Sequence, residues 1–308
     1  MHVAGAVEIV CDESGYEGDR LVGSTTALFA HASVLISAPE AAAILAELRA
    51  RIRSPATQYK ANHLLRPRHR GVLEWFLGPE APLRGRASVF VVDKTHYVLA
   101  RVVELLLGDG TLAPRGPGRQ PQATLLHRYA TRPAASAADR TLPEAANALL
   151  RRRGSAAPFL AALARLRDDD APEVRVMDEL REALPSAARR ADAYREALAA
   201  DPEAAGAAVD PLTPAVLAAV ARWDAGHGVA MAHDRQIALS GARVARLRDW
   251  SGGRLTAVRF LVAEDEPRIQ LADILAGAVR ALLTGPDDAL ARPFADPASI
   301  LPPAGDTR

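Results

Sequence analysis

Cysteine is almost absent from this chain of 308 residues: Cys11 is its single thiol. An intramolecular disulfide is thereby excluded, and so is a zinc site built on four cysteines. Cys11 lies in an apolar run and reads as a small buried hydrophobe. Long hydrophobic stretches are missing too. No apolar run approaches the ~18 residues of a membrane span, and no basic region precedes an apolar core at the N-terminus. The expectation is a cytoplasmic protein with no membrane partner. Charge of one sign is not in excess either. The formal net charge is +1, so no overall field draws in nucleic acid, and an anionic partner must be held by a local patch. Lysine is the last scarcity. Lys60 and Lys94 are the only lysines among 38 basic residues. Against a background heavy in Ala, Pro and Arg, each is a rare choice.

What is present suits a folded chain. Hydrophobic residues make up 49% and charged residues 24%, which argues against global disorder. Val7 to Cys11 reads as a buried strand that ends in Asp12-Glu13-Ser14-Gly15. Ala27 to Ser37 carries a second strand and part of a third. Pro39 starts a helix with Ile44, Leu45, Leu48 and Ile52 on one face. Arg68 to Leu77 is a further helix, Ser88 to Val92 a strand, and Tyr97 to Leu107 an amphipathic helix. Gly108 to Gln122 is rich in Gly and Pro and reads as a mobile loop. Leu142 to Arg222 is helical, with the charge runs Arg151-Arg152-Arg153 and Asp168-Asp169-Asp170 on solvated surface. Val229 to Ala232 and Leu255 to Val262 are strands. A helix between them uses Ile237, Val244, Leu247 and Trp250 as its apolar side. Ile269 to Leu283 is the last long helix, and a loosely wrapped tail follows Gly285. The class is therefore α/β, a mixed central sheet flanked by helices. The expected division is 1–108 and 228–285 for the core, 109–227 for a loop and large helical insert, and 286–308 for the tail.

Three strands end in an acid: Asp12, Asp93 and Asp234. A fourth acid, Asp273, lies inside the last helix and shares a face with Gln270 and Gly277. Carboxylates at neighbouring strand ends, with one from a covering helix, can converge, and such a cluster repels itself unless a cation joins it. Hard oxygen donors favour Mg²⁺ or Mn²⁺. Lys60 and Lys94 are placed to steady a phosphate. The plain alternative for each aspartate is a turn or helix cap. The histidines are less informative; His233 is the one best placed to see the site.

The Asp12-Glu13-Ser14-Gly15 turn, the strand ending at Asp234, and Ile269-Gln270-Leu271-Ala272-Asp273-Ile274-Leu275-Ala276-Gly277 together resemble the "domain of unknown function 3800" family, whose fold is RNase H-like. The resemblance covers Val7 to about Leu107 and Val229 to Leu283. It implies divalent-metal-dependent cleavage of nucleic-acid phosphodiesters, RNA or DNA. Asp12, Asp234 and Asp273 then hold metal and act in catalysis, with Glu13, Asp93 and Lys60 as further catalytic candidates. Lys94, Gln270 and Ser14 contact substrate. Gln58 departs from the pattern, since the family often has Glu two residues before the lysine matched by Lys60. A catalytically weak or inactive nucleic-acid or protein-binding module is therefore the alternative. An aspartyl-phosphate hydrolase is disfavoured, because Ser14 stands where a second Asp is needed. A homo-oligomer is left open.

Overall fold

The computed structural model describes residues 5–53, 59–118, 120–133, 135–151, 155–165, 178–180, 182–262, 266–285 and 287–302. Gln58, Arg152, Arg153, Asp168, Asp169 and Asp170 lie outside the described residues. The chain forms two compact units, each discontinuous in sequence. The first comprises Met1–Tyr16, Leu28–Val91 and Ala215–Ser299; the second comprises Glu17–Ala27, Val92–Pro214 and Ile300–Arg308.

The chain is α/β, with a five-stranded mixed open sheet. Its strands are β1 (Val7–Ser14), β2 (Leu28–Val34), β3 (Ala87–Asp93), β4 (Val229–Asp234) and β5 (Leu255–Leu261), in the order β3-β2-β1-β4-β5. β1 runs antiparallel to β2 and parallel to β4, and β4 runs parallel to β5. The central position of β1 explains its apolar start: Ile9, Val10 and Cys11 are fully buried. β2 is buried along its whole length, which requires cover on both faces. Ala27 to Ser37 thus makes one strand, not parts of two.

In the first unit, α1 (Ala38–Ile52) begins with a reciprocal cap between Ser37 and Glu40 and ends at Arg53 in the left-handed region, φ 51°. α2 (Ala61–Leu64) and α3 (Arg70–Leu77) follow. The second unit is built from α4 (Lys94–Leu107), α5 (Pro121–Thr131), α6 (Ala137–Arg140), α7 (Leu142–Leu150), α8 (Ala157–Arg165), α9 (Leu184–Ala200) and α10 (Pro202–Val209). α4 packs against α5, α7 and α9, so it belongs with the helical part rather than with the sheet where the sequence reading had it. α11 (Leu212–Trp223) carries the chain back. Its Trp223 indole N–H donates to Ser33 Oγ at 2.8 Å, which ties residues expected in the insert to the first unit.

α12 (Gly241–Trp250), α13 (Pro267–Leu282) and α14 (Asp288–Ala291) complete the first unit. Ile237 precedes α12 and is 95% exposed, so it is not part of that helix's apolar side. α13 lies on β1 and β2 and is buried on most of its circumference. Within its described residues the tail is pinned at Asp296. Asp296 N–H donates to Val89 O at 2.8 Å, and Ser88 Oγ donates to Asp296 Oδ2 at 2.8 Å. Among the described residues no single helix is long and apolar enough to cross a membrane.

Candidate active site

Strand alternation splits Asp12 from Glu13. On β1, Val10, Asp12 and Ser14 share one face, while Cys11 and Glu13 share the other. Val10, Ala232 on β4 and Ile269 at the start of α13 form one apolar cluster, so the Asp12 face is the one that α13 covers. Asp12 lies opposite Ala32 on β2, and Val10 lies opposite Ala232, whose strand ends two residues later at Asp234. These alanines leave room for carboxylates beside them.

α13 brings a polar stripe to this face. Gln270, Asp273, Gly277 and Arg280 recur at helical spacing in an otherwise apolar helix. Gly277 has ordinary helical backbone, and its importance is spatial. A Cβ there would lie 2.7 Å from the Ala61 methyl and 3.7 Å from Ser14 Oγ. The missing side chain lets α2 approach, which lands Lys60, just before α2, beside α13. Lys60 Nζ is 2.8 Å from Asp273 Oδ2. The Lys60 backbone N–H donates to His63 Nδ1 at 3.1 Å, which fixes the turn. At the other end of the stripe, Arg280 Nε donates to Ser14 Oγ at 3.0 Å.

The electrostatics bind these groups into one cluster. Asp12 is 5% exposed, and its Oδ1 accepts the Glu13 backbone N–H at 2.7 Å. Burial, then the negative charges of Glu13, Asp273 and Asp234, push its pKa up to about 8 against that hydrogen bond. Burial also raises Asp273, opposed by Lys60. Partial burial works against the charge on Lys60. The Asp273 pair, with Asp12 and Asp234 at longer range, outweighs it and raises the lysine's pKa. At neutral pH, Asp12 is a neutral acid beside an ion pair. Lys60 is the positive charge paired with Asp273.

On the opposite face stands a second polar group. Glu13 lies across from His31, and Cys11 across from His233. His31 and His233 are buried, with their Nε2 atoms 3.1 Å apart. His233 Nδ1 is 2.9 Å from Asp234 O. A carbonyl only accepts, so Nδ1 carries the proton, and Nε2 accepts from His31 Nε2–H. Burial holds His31 well below the usual range and lowers His233 to about 4, so the pair is neutral. Gln236 Nε2 donates to Glu13 Oε1, and Glu13 Oε2 is 3.8 Å from His233 Nε2. Glu13 is thus placed with the histidines and not beside Asp273.

Asp93 and Lys94 take other positions, in the second unit. Asp93 Oδ1 caps α4 by accepting His96 N–H at 2.8 Å and lies 3.7 Å from His127 Nε2. Lys94 is 1% exposed. Its Nζ reaches Glu17 at 3.0 Å, Ser24 at 3.1 Å and Thr26 at 2.9 Å. A buried ammonium committed to these partners ties segment 17–27 to α4, which replaces the phosphate-steadying role expected for it. The cluster thus brings together Asp12, Ser14, Lys60, Asp234 and Asp273, with Gln270 on the same helix stripe. Arg280 was missed, although the 270/273/277 spacing extends to it directly.

Asp12, Asp234 and Asp273 offer hard oxygen donors. Among the described residues, however, no three His, Cys, Asp or Glu side chains are arranged as they stand to hold one metal ion. No family model, no curated protein and no solved structure matches the chain.

Proposed function

We propose that this chain is a divalent-cation-dependent hydrolase of nucleic-acid phosphodiesters, in keeping with its resemblance to the RNase H-like family named above. One observation carries the reading: three aspartates, from β1, β4 and α13, couple electrostatically on one face of the sheet with a single lysine among them. Structural packing gives no reason to bury such repulsion, and hard cations relieve it. Asp12, Asp234 and Asp273 would hold Mg²⁺ or Mn²⁺, which supplies an activated water and charge stabilisation for a leaving oxygen. Taking up the cation requires Asp12 to give up its proton and Asp273 to loosen its hold on Lys60. Lys60 would then be the cation nearest a substrate phosphate, with Gln270 on the same helix stripe as Asp273.

One observation favours a second reading, a binding module without catalysis. The neutral Asp12 and the Lys60–Asp273 pair already balance much of the cluster's charge, and the donors do not form a ligand cage as placed.

A panel of single- and double-stranded RNA, DNA and hybrids separates the two. Cleavage that needs Mn²⁺ or Mg²⁺ and drops at least ~100-fold in Asp12→Asn and Asp273→Asn supports the hydrolase. Equal activity in wild type and variants removes it. Salt-sensitive binding with no cleavage in any metal selects the module.

A further inference from the structure

We infer that Arg280 and Ser14 form a subsite for the non-bridging oxygens of a substrate backbone phosphate, further along the chain than the phosphate at the carboxylate cluster. The inference rests on the proposed nucleic-acid substrate and extends it to a residue that the resemblance does not assign. Asp273 and Arg280 lie on one stripe of α13, seven residues apart, which is about 10 Å along the helix axis. The two ends of the stripe therefore serve neighbouring positions of an extended polyanion.

The geometry gives the arginine a defined aim. Its Nε is engaged by Ser14 Oγ at 3.0 Å, and Ser14 itself sits over the bare Cα of Gly277. Among the described residues, the two terminal nitrogens of Arg280 have no hydrogen-bond or ion-pair partner. The side chain is only part buried, so this edge of the guanidinium is open to a ligand. Two parallel N–H groups in one plane match two oxygens of a phosphate. Had the residue served only to clamp α13 to β1, its Ser14 bond would suffice and a terminal charge on a helix of small apolar residues would add nothing. The negative cluster two turns away discourages a carboxylate ligand there, whereas a polyanion that brings its own cations to the cluster is tolerated.

The test is binding of a labelled ~20-nucleotide strand by fluorescence anisotropy across a salt series in Ca²⁺, with cleavage kinetics in Mn²⁺. Arg280→Gln should weaken binding ~10-fold and reduce the magnitude of the log K against log salt slope by about 1. KM should rise with kcat changed less than ~2-fold. Arg280→Lys should keep the slope and lose ~3-fold in affinity, because the charge stays and the planar fork goes. Thermal melting of both variants monitors the clamp separately. Affinity, slope and KM unchanged in both variants, with wild type still binding, overturn the subsite and leave the proposed function standing. A wild-type protein that neither binds nor cleaves any nucleic acid overturns both.

Discussion

Asp12 carries a strong pH signature at the level of single residues. Its folded pKa of about 8 lies above its ordinary value of 3.8. The folded protein therefore holds a proton that the unfolded chain releases. The resulting stability is fully present below pH 3.8 and is lost as pH rises towards 8, up to about 6 kcal/mol in the absence of a cation. Asp12→Asn removes this dependence while keeping shape. In EDTA, the melting temperature of Asp12→Asn minus that of wild type should rise from pH 5 to about pH 8 and level off above it. A flat difference would show that Asp12 is not held neutral by its surroundings. Saturating Mn²⁺ at pH 8 should raise the wild-type melting temperature by several degrees and leave Asp12→Asn nearly unmoved, since only the ionised carboxylate binds the cation. Sequence alone singled out Asp12, because two acids follow a buried strand. It could not separate Asp12 from Glu13. Alternation along an extended strand sends them to opposite faces, and which face meets α13 depends on segments over two hundred residues away.

Elements set the geometry around these residues. β1 lies between β2 and β4, so His31 and His233 reach each other across it on the face away from α13. Their signature is opposite in sign to that of Asp12. His233 falls from 6.5 to about 4 on folding, so its contribution is present above pH 6.5 and is lost as pH falls towards 4, about 3 kcal/mol. Across pH 4 to 6.5 the two effects offset in the wild type. A His31→Leu/His233→Leu double variant should therefore show stability that falls more steeply with rising pH in that window. Identical pH profiles for variant and wild type in urea melts would reject the neutral histidine pair. α2 and α13 meet through Gly277. Gly277→Ala forces its methyl into Ala61 and should cost ~1–3 kcal/mol, with weaker cation-induced stabilisation as Lys60 shifts from Asp273. Most strands and long helices were legible from periodicity. α13 was the clearest, through its buried apolar run and its stripe at 270, 273 and 277. Ile237 misled because a single apolar side chain near a helix start is indistinguishable from a staple residue until its 95% exposure is seen.

At the scale of the whole molecule, the chain divides into two units that each build their own core. In the second, Arg101 is fully buried and bonds Tyr97 Oη at 3.1 Å, Glu104 at 2.7 Å and Ala113 O at 2.8 Å. The Lys94–Glu17 pair serves the same unit. Glu17→Ala removes the carboxylate that the buried ammonium of Lys94 reaches at 3.0 Å and should lower the melting temperature. Hydrogen exchange should report it as faster exchange at residues 94–107, with residues 7–12 of β1 unchanged. Uniform acceleration over both segments would indicate one cooperative structure instead.

Composition and pattern were enough to establish the α/β class, the helical character of the middle of the chain, and the acids worth watching. Those features follow from local physics: burial periodicity, turn chemistry, and the cost of placing a carboxylate in an apolar helix. Pairing decided the rest. Asp93 and Lys94 looked equivalent to Asp12 and Lys60, since each is an acid or lysine at a strand or turn end. Folding commits Asp93 to a helix cap and Lys94 to Glu17, and it brings Lys60 to Asp273 through an absent side chain at Gly277. Which charges share a dielectric pocket depends on what packs across the sheet, and no local spacing along the chain encodes that.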